Sequence, residues 1–361
     1  MCGACDTADT LSIVARARRV ADALAAQLLG EPVAKAMDLD TAVGFDRAVA
    51  SLAAEIRRQA STPERDAVRA AVDVLDVDWP RTTPAQRRRL VSEAMNAAGR
   101  ATALIPARIQ TTLGPAADEV VSATRSHGRR VHGLAIGADF NAVDRRITTH
   151  IVRTQVNFVT DELGRRLDGF GVEARRVVAD GLEAGHGRDD LSAALQAAAQ
   201  RAFVERSAFY WDVVAGAFIG NGRTFAQLSS YAEPGVTRYL IEAVLDERTT
   251  EICRYLHGKV FEVGDALRRF DALDRLDQPE DVKDAQPWVR ESLDPQTGNP
   301  VLFVERGGLR TPLVEVTRSG VGTVDDQGEH GRAVSDRELM DLGVGFPPYH
   351  GLCRTTTVPE V

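Results

Sequence analysis

Cys253 and His257 lie four positions apart, and His350 and Cys353 lie three apart. The chain has only four Cys and seven His in 361 residues. Two soft-ligand pairs at such spacing, 93 residues apart from His257 to His350, point to one shared site that ties the end of the chain onto an earlier helix. A helix over Thr249–Leu256 would put Cys253 and His257 on one face, because positions i and i+4 are neighbours. Pro347 and Pro348 stiffen the approach to His350, which lowers the entropy lost when a bound ion closes the loop. All four residues together make a Cys2His2 set of the closed, structural type that zinc favours. The same residues also fit a metal-free hydrogen-bonded knot, with Cys253 as a small hydrophobe and His257 beside Gly258 capping a helix C-terminus. Catalysis by a Cys/His pair would further need an activated thiolate, an oxyanion site and a cleft. Asp246, Arg248 and Thr249 precede the pair and read as an ion-paired corner fixing the start of the Cys253 helix. Arg354 is expected to reach the same corner, since buried charges are tolerated only when paired. Cys2 and Cys5 have zinc or redox spacing, but no second pair lies nearby, and a frayed terminus explains them as well.

The elements that must position these residues follow from periodicity. Amphipathic helices are expected from Leu11 to Leu28 and over 42–58, 63–75, 84–103, 115–131, 140–167 and 170–184. Thr62-Pro63 and Thr83-Pro84 read as helix starts. Gly-rich breaks fall at 168–171 and 185–187, and another helix opens near Asp190 and ends after Ala199. Residues 202–231 form an aromatic helix whose stripe of Phe203, Phe209, Tyr210, Trp211, Phe218 and Phe225 is a core face. From Pro234 the chain turns β-prone, with strands over 236–245 and 259–263. A hairpin follows over 301–305 and 309–316 across Gly307-Gly308, and a short helix over 335–342 is capped by Ser335. Residues 264–299 read as a polar insertion without regular structure, and Gly320–Gly331 as a loop. The fold class is therefore a mainly α N-terminal part (1–230, a helical bundle or extended helices that bind a partner) followed by a small α+β domain (231–361).

Composition sets the outer limits. The chain is 44% hydrophobic and 27% charged, with a net charge of −8, which argues against a surface wholly coated by nucleic acid. Only three Lys occur, Lys35, Lys259 and Lys283. The Arg pairs at 57–58, 87–89, 129–130, 145–146, 165–166 and 175–176 read either as solvated helix faces or as a broken basic stripe for phosphates or an acidic partner. No 18-residue apolar run occurs, and the first 30 residues lack signal-peptide order. With few cysteines this points to a reducing compartment, where Cys253 and Cys353 are thiols or ligands.

Asp246, Arg248, Thr249, Cys253, Leu256 and Gly258, followed by Pro347, Pro348, His350, Cys353 and Arg354, resemble the C-terminal domain of the phage Mu protein F-like head morphogenesis proteins, or minor head proteins. That family is marked by an Asp-x-Arg-Thr motif, then Cys, an apolar step and Gly, and later Pro-Pro-x-His-x-x-Cys-Arg. The resemblance covers roughly residues 150–358. Many members carry a further Cys where Thr250 stands and another where Thr355 stands, and Asp is common where His257 stands. His257 would then replace a missing ligand, or the metal has been lost. The resemblance implies a phage or prophage capsid role without enzymatic activity. The protein would associate in few copies with the portal, the major capsid protein or both, in the bacterial cytoplasm during assembly and then in the virion, with no membrane.

Two competing functions are a metal-dependent nuclease or toxin-like effector and a DNA-contacting internal head protein touching packaged DNA. A nuclease would build on His350, an activated water and a phosphate-binding Arg such as Arg354. Only eight residues follow Cys353, so an appended effector is expected within 1–150, where no phosphate loop or clustered metal ligands occur.

Overall fold

A computed structural model describes residues 37–205 and 207–360. The helix expected over Leu11–Leu28, Cys2 and Cys5 lie outside the described residues. Among the described residues the chain is mainly helical from Ala42 to Ala232 and mixed α+β thereafter, the layout expected from its periodicity.

Helix α1 (Ala42–Leu75) starts where the Thr41 hydroxyl accepts the Gly44 N–H. It runs straight through Thr62-Pro63, which was expected to open a new helix. Ile56, Ala60, Pro63, Ala67 and Ala71 are buried at three- and four-residue intervals, so one continuous packed face outweighs the hydrogen bond that Pro63 removes. Helix α2 (Pro84–Thr102) opens on a Thr83–Gln86 capping box. Helices α3 (Ile105–Val131), α4 (Ala142–Glu183), α5 (Arg188–Gln200) and α6 (Ser207–Ala232) complete the helical part. The break expected at 168–171 is absent, and α4 is 42 residues long. A methyl group at Gly171 would lie 2.3 Å from the Met95 sulfur, so this glycine lets α2 and α4 approach rather than ending a helix. The break at 185–187 is real, with Gly185 at φ +76°.

Strand β1 (Arg238–Glu242) is the centre of a three-stranded antiparallel sheet, flanked by β2 (Val260–Glu262) and by the final strand β7 (Thr356–Glu360). The short helix α7 (Glu251–Leu256) joins β1 to β2. Residues 264–299 are not an irregular insertion. They contain most of helix α8 (Val263–Leu273), helix α9 (Pro279–Ala285) and strand β3 (Arg290–Leu293). Val263, Ala266, Phe270 and Leu273 form a buried stripe at helical spacing that the acidic composition of the segment hides. Strands β4 (Pro300–Arg306), β5 (Leu309–Arg318) and β6 (Glu329–Ala333) extend β3 into a second antiparallel sheet. The β4–β5 turn uses Gly307 and Gly308, both at positive φ, as a tight two-residue hairpin requires. Helix α10 (Asp336–Asp341) starts on a Ser335–Glu338 capping box.

Two apolar cores hold these elements. The smaller packs α1, α2, α4 and α5 around Trp79, Phe170 and Phe203. The larger runs from Leu39 and Phe45 in the helical part through α6 to Cys253, Phe346 and Cys353, so α6 belongs to both halves of the chain.

Candidate metal centre

Strand β1 delivers the chain to Asp246, whose carboxylate organises a corner. Its oxygens accept hydrogen bonds from both Arg354 terminal nitrogens at 2.7 and 2.5 Å, from the Arg248 N–H at 3.0 Å and from the Thr249 hydroxyl at 3.0 Å. The hydrogen bonds from Arg354, above all, pull the Asp246 carboxyl down to about 2. A two-pronged guanidinium–carboxylate contact is among the stronger polar contacts available, and the Arg354 side chain is only 10% exposed. Arg248 contributes its backbone here, while its guanidinium reaches Asp46 of α1 at 2.7 Å. Behind the corner, the fully buried Arg254 donates to the carbonyls of Thr249, Asp246, Thr323 and Asp326. It thereby ties the start of α7 to the 319–328 turns.

One helical turn further, Cys253 meets the end of the chain. Its Sγ lies 3.7 Å from Cys353 Sγ and 3.4 Å from His350 Nε2, and the Thr250 hydroxyl is 3.2 Å from the same nitrogen. The ligand atoms of Cys253, His350 and Cys353 all lie within 4.8 Å of one another. Both thiols are buried and unbridged. Burial alone would raise the Cys353 pKa, but hydrogen bonds from Cys253 and His350 and the Tyr349 backbone overcome it and hold this thiol well below its usual range. Cys253 is pushed well above that range, first by the bond to Cys353 that keeps its proton and then by burial. Two sulfurs and an imidazole, one sulfur already favouring the thiolate, form a donor set that fits a soft divalent ion. Cys253, His350 and Cys353 could hold a metal ion.

His257 is not part of this group, which corrects the four-ligand set expected from spacing. Helix α7 ends at Leu256, and His257 has ψ 127°, so the i,i+4 rule no longer aligns it with Cys253. Its Nδ1 accepts the Ala243 N–H at 3.1 Å, and burial lowers its pKa. Gly258 follows at φ +83°, the left-handed position that turns the chain into β2.

The return of His350 and Cys353 depends on α6. A methyl at Gly216 would lie 2.4 Å from the Gly351 carbonyl oxygen, and one at Gly220 would press on Pro348. The Pro347–Pro348 peptide is cis. Further along the same helix, Arg223 donates to the carbonyls of Arg354 and Thr355 at 3.0 and 2.7 Å. Gln227 bonds Thr356 and Thr357, and the Tyr231 hydroxyl donates to the Thr357 carbonyl at 2.8 Å. These three polar side chains, four residues apart, form a ladder that receives β7. Reading α6 only for its aromatic stripe missed them, although polar residues at i, i+4 and i+8 in an apolar helix were a visible signal. Burial lowers the Arg223 pKa to about 10, and the nearby Cys353 sulfur counters that effect, so the guanidinium is a buried cation beside the thiol pair.

The Arg pairs mostly serve the fold. Arg58, Arg89, Arg130, Arg146, Arg165, Arg166 and Arg176 each pair with a carboxylate. Among the described residues no helix is long and apolar enough to cross a membrane. Comparison with known protein families, curated proteins and solved structures finds no match.

Proposed function

We propose that this chain is a minor head protein of a phage or prophage, a structural and interaction protein associated with the portal, the major capsid protein or both. One observation supports this reading above others. The two segments that resemble the Mu F-like proteins converge at Asp246–Arg354 and Cys253–Cys353, contacts that span 108 and 100 residues. Residues brought together from such separations form a unit that spacing alone does not require. A long helical part presenting extended faces fits a partner-binding role. The assembly would form in the bacterial cytoplasm and end in the virion, where packaged DNA is a second contact to test. Co-expression with the portal gene product from the same gene neighbourhood should give a co-purifying complex; no complex with portal or capsid protein sinks the reading.

We further propose one structural zinc held by Cys253, His350 and Cys353, with a fourth position for water or the Thr250 hydroxyl. The convergence of the three ligand atoms within 4.8 Å of one another supports it, since a site whose donors are already gathered loses little entropy when an ion binds. Elemental analysis should find about one zinc per chain, lost in Cys253→Ser and Cys353→Ser and retained in His257→Ala. Metal-free wild type purified without chelator would leave the cluster as a hydrogen-bonded knot.

A further inference from the structure

A cavity of about 580 Å³ opens between α4, α6 and the segment around α9, with Pro348 and His350 on its wall. This is within the range of small-molecule sites. The chain has twelve Phe, five Tyr and three Trp, yet Phe158, Tyr210, Phe218, Phe225 and Trp288 all line this one space. Three carboxamides line it too: Gln155, Asn221 and Gln286. None of them makes a side-chain hydrogen bond to another described residue. Asn221 Oδ1 and Gln286 Nε2 are fully enclosed and unsatisfied, and Gln155 is 8% exposed. A buried amide atom without a partner is costly; Asn221 and Gln286 each carry one on this wall, so the wall is one that an occupant with donors and acceptors would complete.

The charges define the kind of occupant. At the rim, Arg165 pairs with Glu162 and Glu280, Lys283 with Glu280, and Arg290 with Glu305. No rim charge is left to select an ion. Deeper, His150 is neutral, because burial lowers its pKa to about 4 against the pull of Asp274. We infer that this cavity is a binding site for an uncharged heteroaromatic molecule that carries both hydrogen-bond donors and acceptors. Flat rings suit the aromatic walls, and the carboxamides supply complementary donors and acceptors.

The test uses the full-length protein and the neutral fluorophore 7-amino-4-methylcoumarin, which has an amine donor and a lactone acceptor. Titration should give a saturable emission change at one site per chain. Gln155→Leu should weaken binding roughly five- to tenfold, the worth of one hydrogen bond. Ala217→Phe, which fills the cavity from α6, should abolish it without lowering the melting temperature. The anionic analogue bearing an acetic acid group should bind at least about tenfold more weakly. A non-saturable signal, or equal binding by wild type and Gln155→Leu, overturns the site. Equal affinity for the anionic analogue overturns the assigned ligand class. If Ala217→Phe fails to fold, the Gln155→Leu comparison alone decides.

Discussion

Thr250 and Thr355 flank Cys253, and their hydroxyls hydrogen-bond toward its sulfur. They stand where the Mu F-like pattern has further thiols, so the site lacks donors that a simple substitution can restore. Thr250→Cys should supply a fourth ligand and tighten zinc binding by roughly tenfold or more, read by competition with a chromophoric chelator; unchanged affinity would count against the Cys253–His350–Cys353 site. Asp246 gives a second prediction. Its folded pKa, about 2, lies below the roughly 3.9 of a free carboxyl. The group therefore stabilises the fold fully above the unfolded value, and that contribution is lost as pH falls through the folded one. Wild type should lose melting temperature between about pH 4 and pH 2 more steeply than Asp246→Asn. At neutral pH, Arg354→Ala should cost roughly 1–3 kcal/mol in urea unfolding, because it leaves the Asp246 carboxylate without its main partner. The two thiols and His350 were legible from scarcity and spacing, Asp246 from its place at the end of a strand, and Arg354 from its place directly after Cys353. Arg254 was not, since its partners are all backbone carbonyls, two of them 69 and 72 residues away, which no side-chain pattern announces. His257 misled because its role depends on where a six-residue helix stops.

At the scale of elements, α6 is the part on which the site rests. Gly216 and Gly220 admit the Pro347–Cys353 turn, and Arg223, Gln227 and Tyr231 hold the strand that follows. Alanine is intrinsically better than glycine in a helix by about 1 kcal/mol. At Gly216 the added methyl meets the Gly351 carbonyl at 2.4 Å, and overpacking of this kind costs roughly 1–3 kcal/mol. Sterics should win, so Gly216→Ala should lower stability and weaken metal binding together. Gly114 in α3 has open space around it, and Gly114→Ala should raise stability by up to about 1 kcal/mol. A stabilising Gly216→Ala would mean that the turn does not sit against α6. The existence of the helices between residues 42 and 232 was legible from periodicity, and so were the 307–308 hairpin and the caps at Thr83 and Ser335, whereas α8 and α9 were hidden by the polar composition of their segment. Helix continuity was not: Pro63 and the 168–171 glycines look like punctuation, and only the packed faces they serve show otherwise. The final strand β7 escaped notice because its pairing and its polar ladder both come from residues over a hundred positions away.

At the scale of the molecule, the change of character near residue 231 follows the sequence, but the larger core does not divide there. Trp211, Phe218, Ile219, Phe225 and Tyr231 of α6 share one cluster with Tyr239, Phe261, Phe270 and Phe346 beyond it. Tyr239 also donates its hydroxyl to the Gly345 carbonyl at 3.0 Å, which places the approach to the Pro347 turn under the same core. Burying one large apolar side chain is worth about 1.5–3 kcal/mol, so uncovering the face against α6 removes an amount comparable to the about 5–15 kcal/mol of a whole domain. Residues 234–361 expressed alone should therefore lack a cooperative thermal transition and near-ultraviolet dichroism, with or without added zinc, while the full chain shows both. Adding α6 alone, in a fragment from residue 207, should not restore them, because α3 and α4 then leave the other faces of that helix bare. A cooperative, zinc-dependent melt of the 234–361 fragment would instead mean that the metal and the two sheets suffice, and that α6 is a docking partner of an autonomous domain.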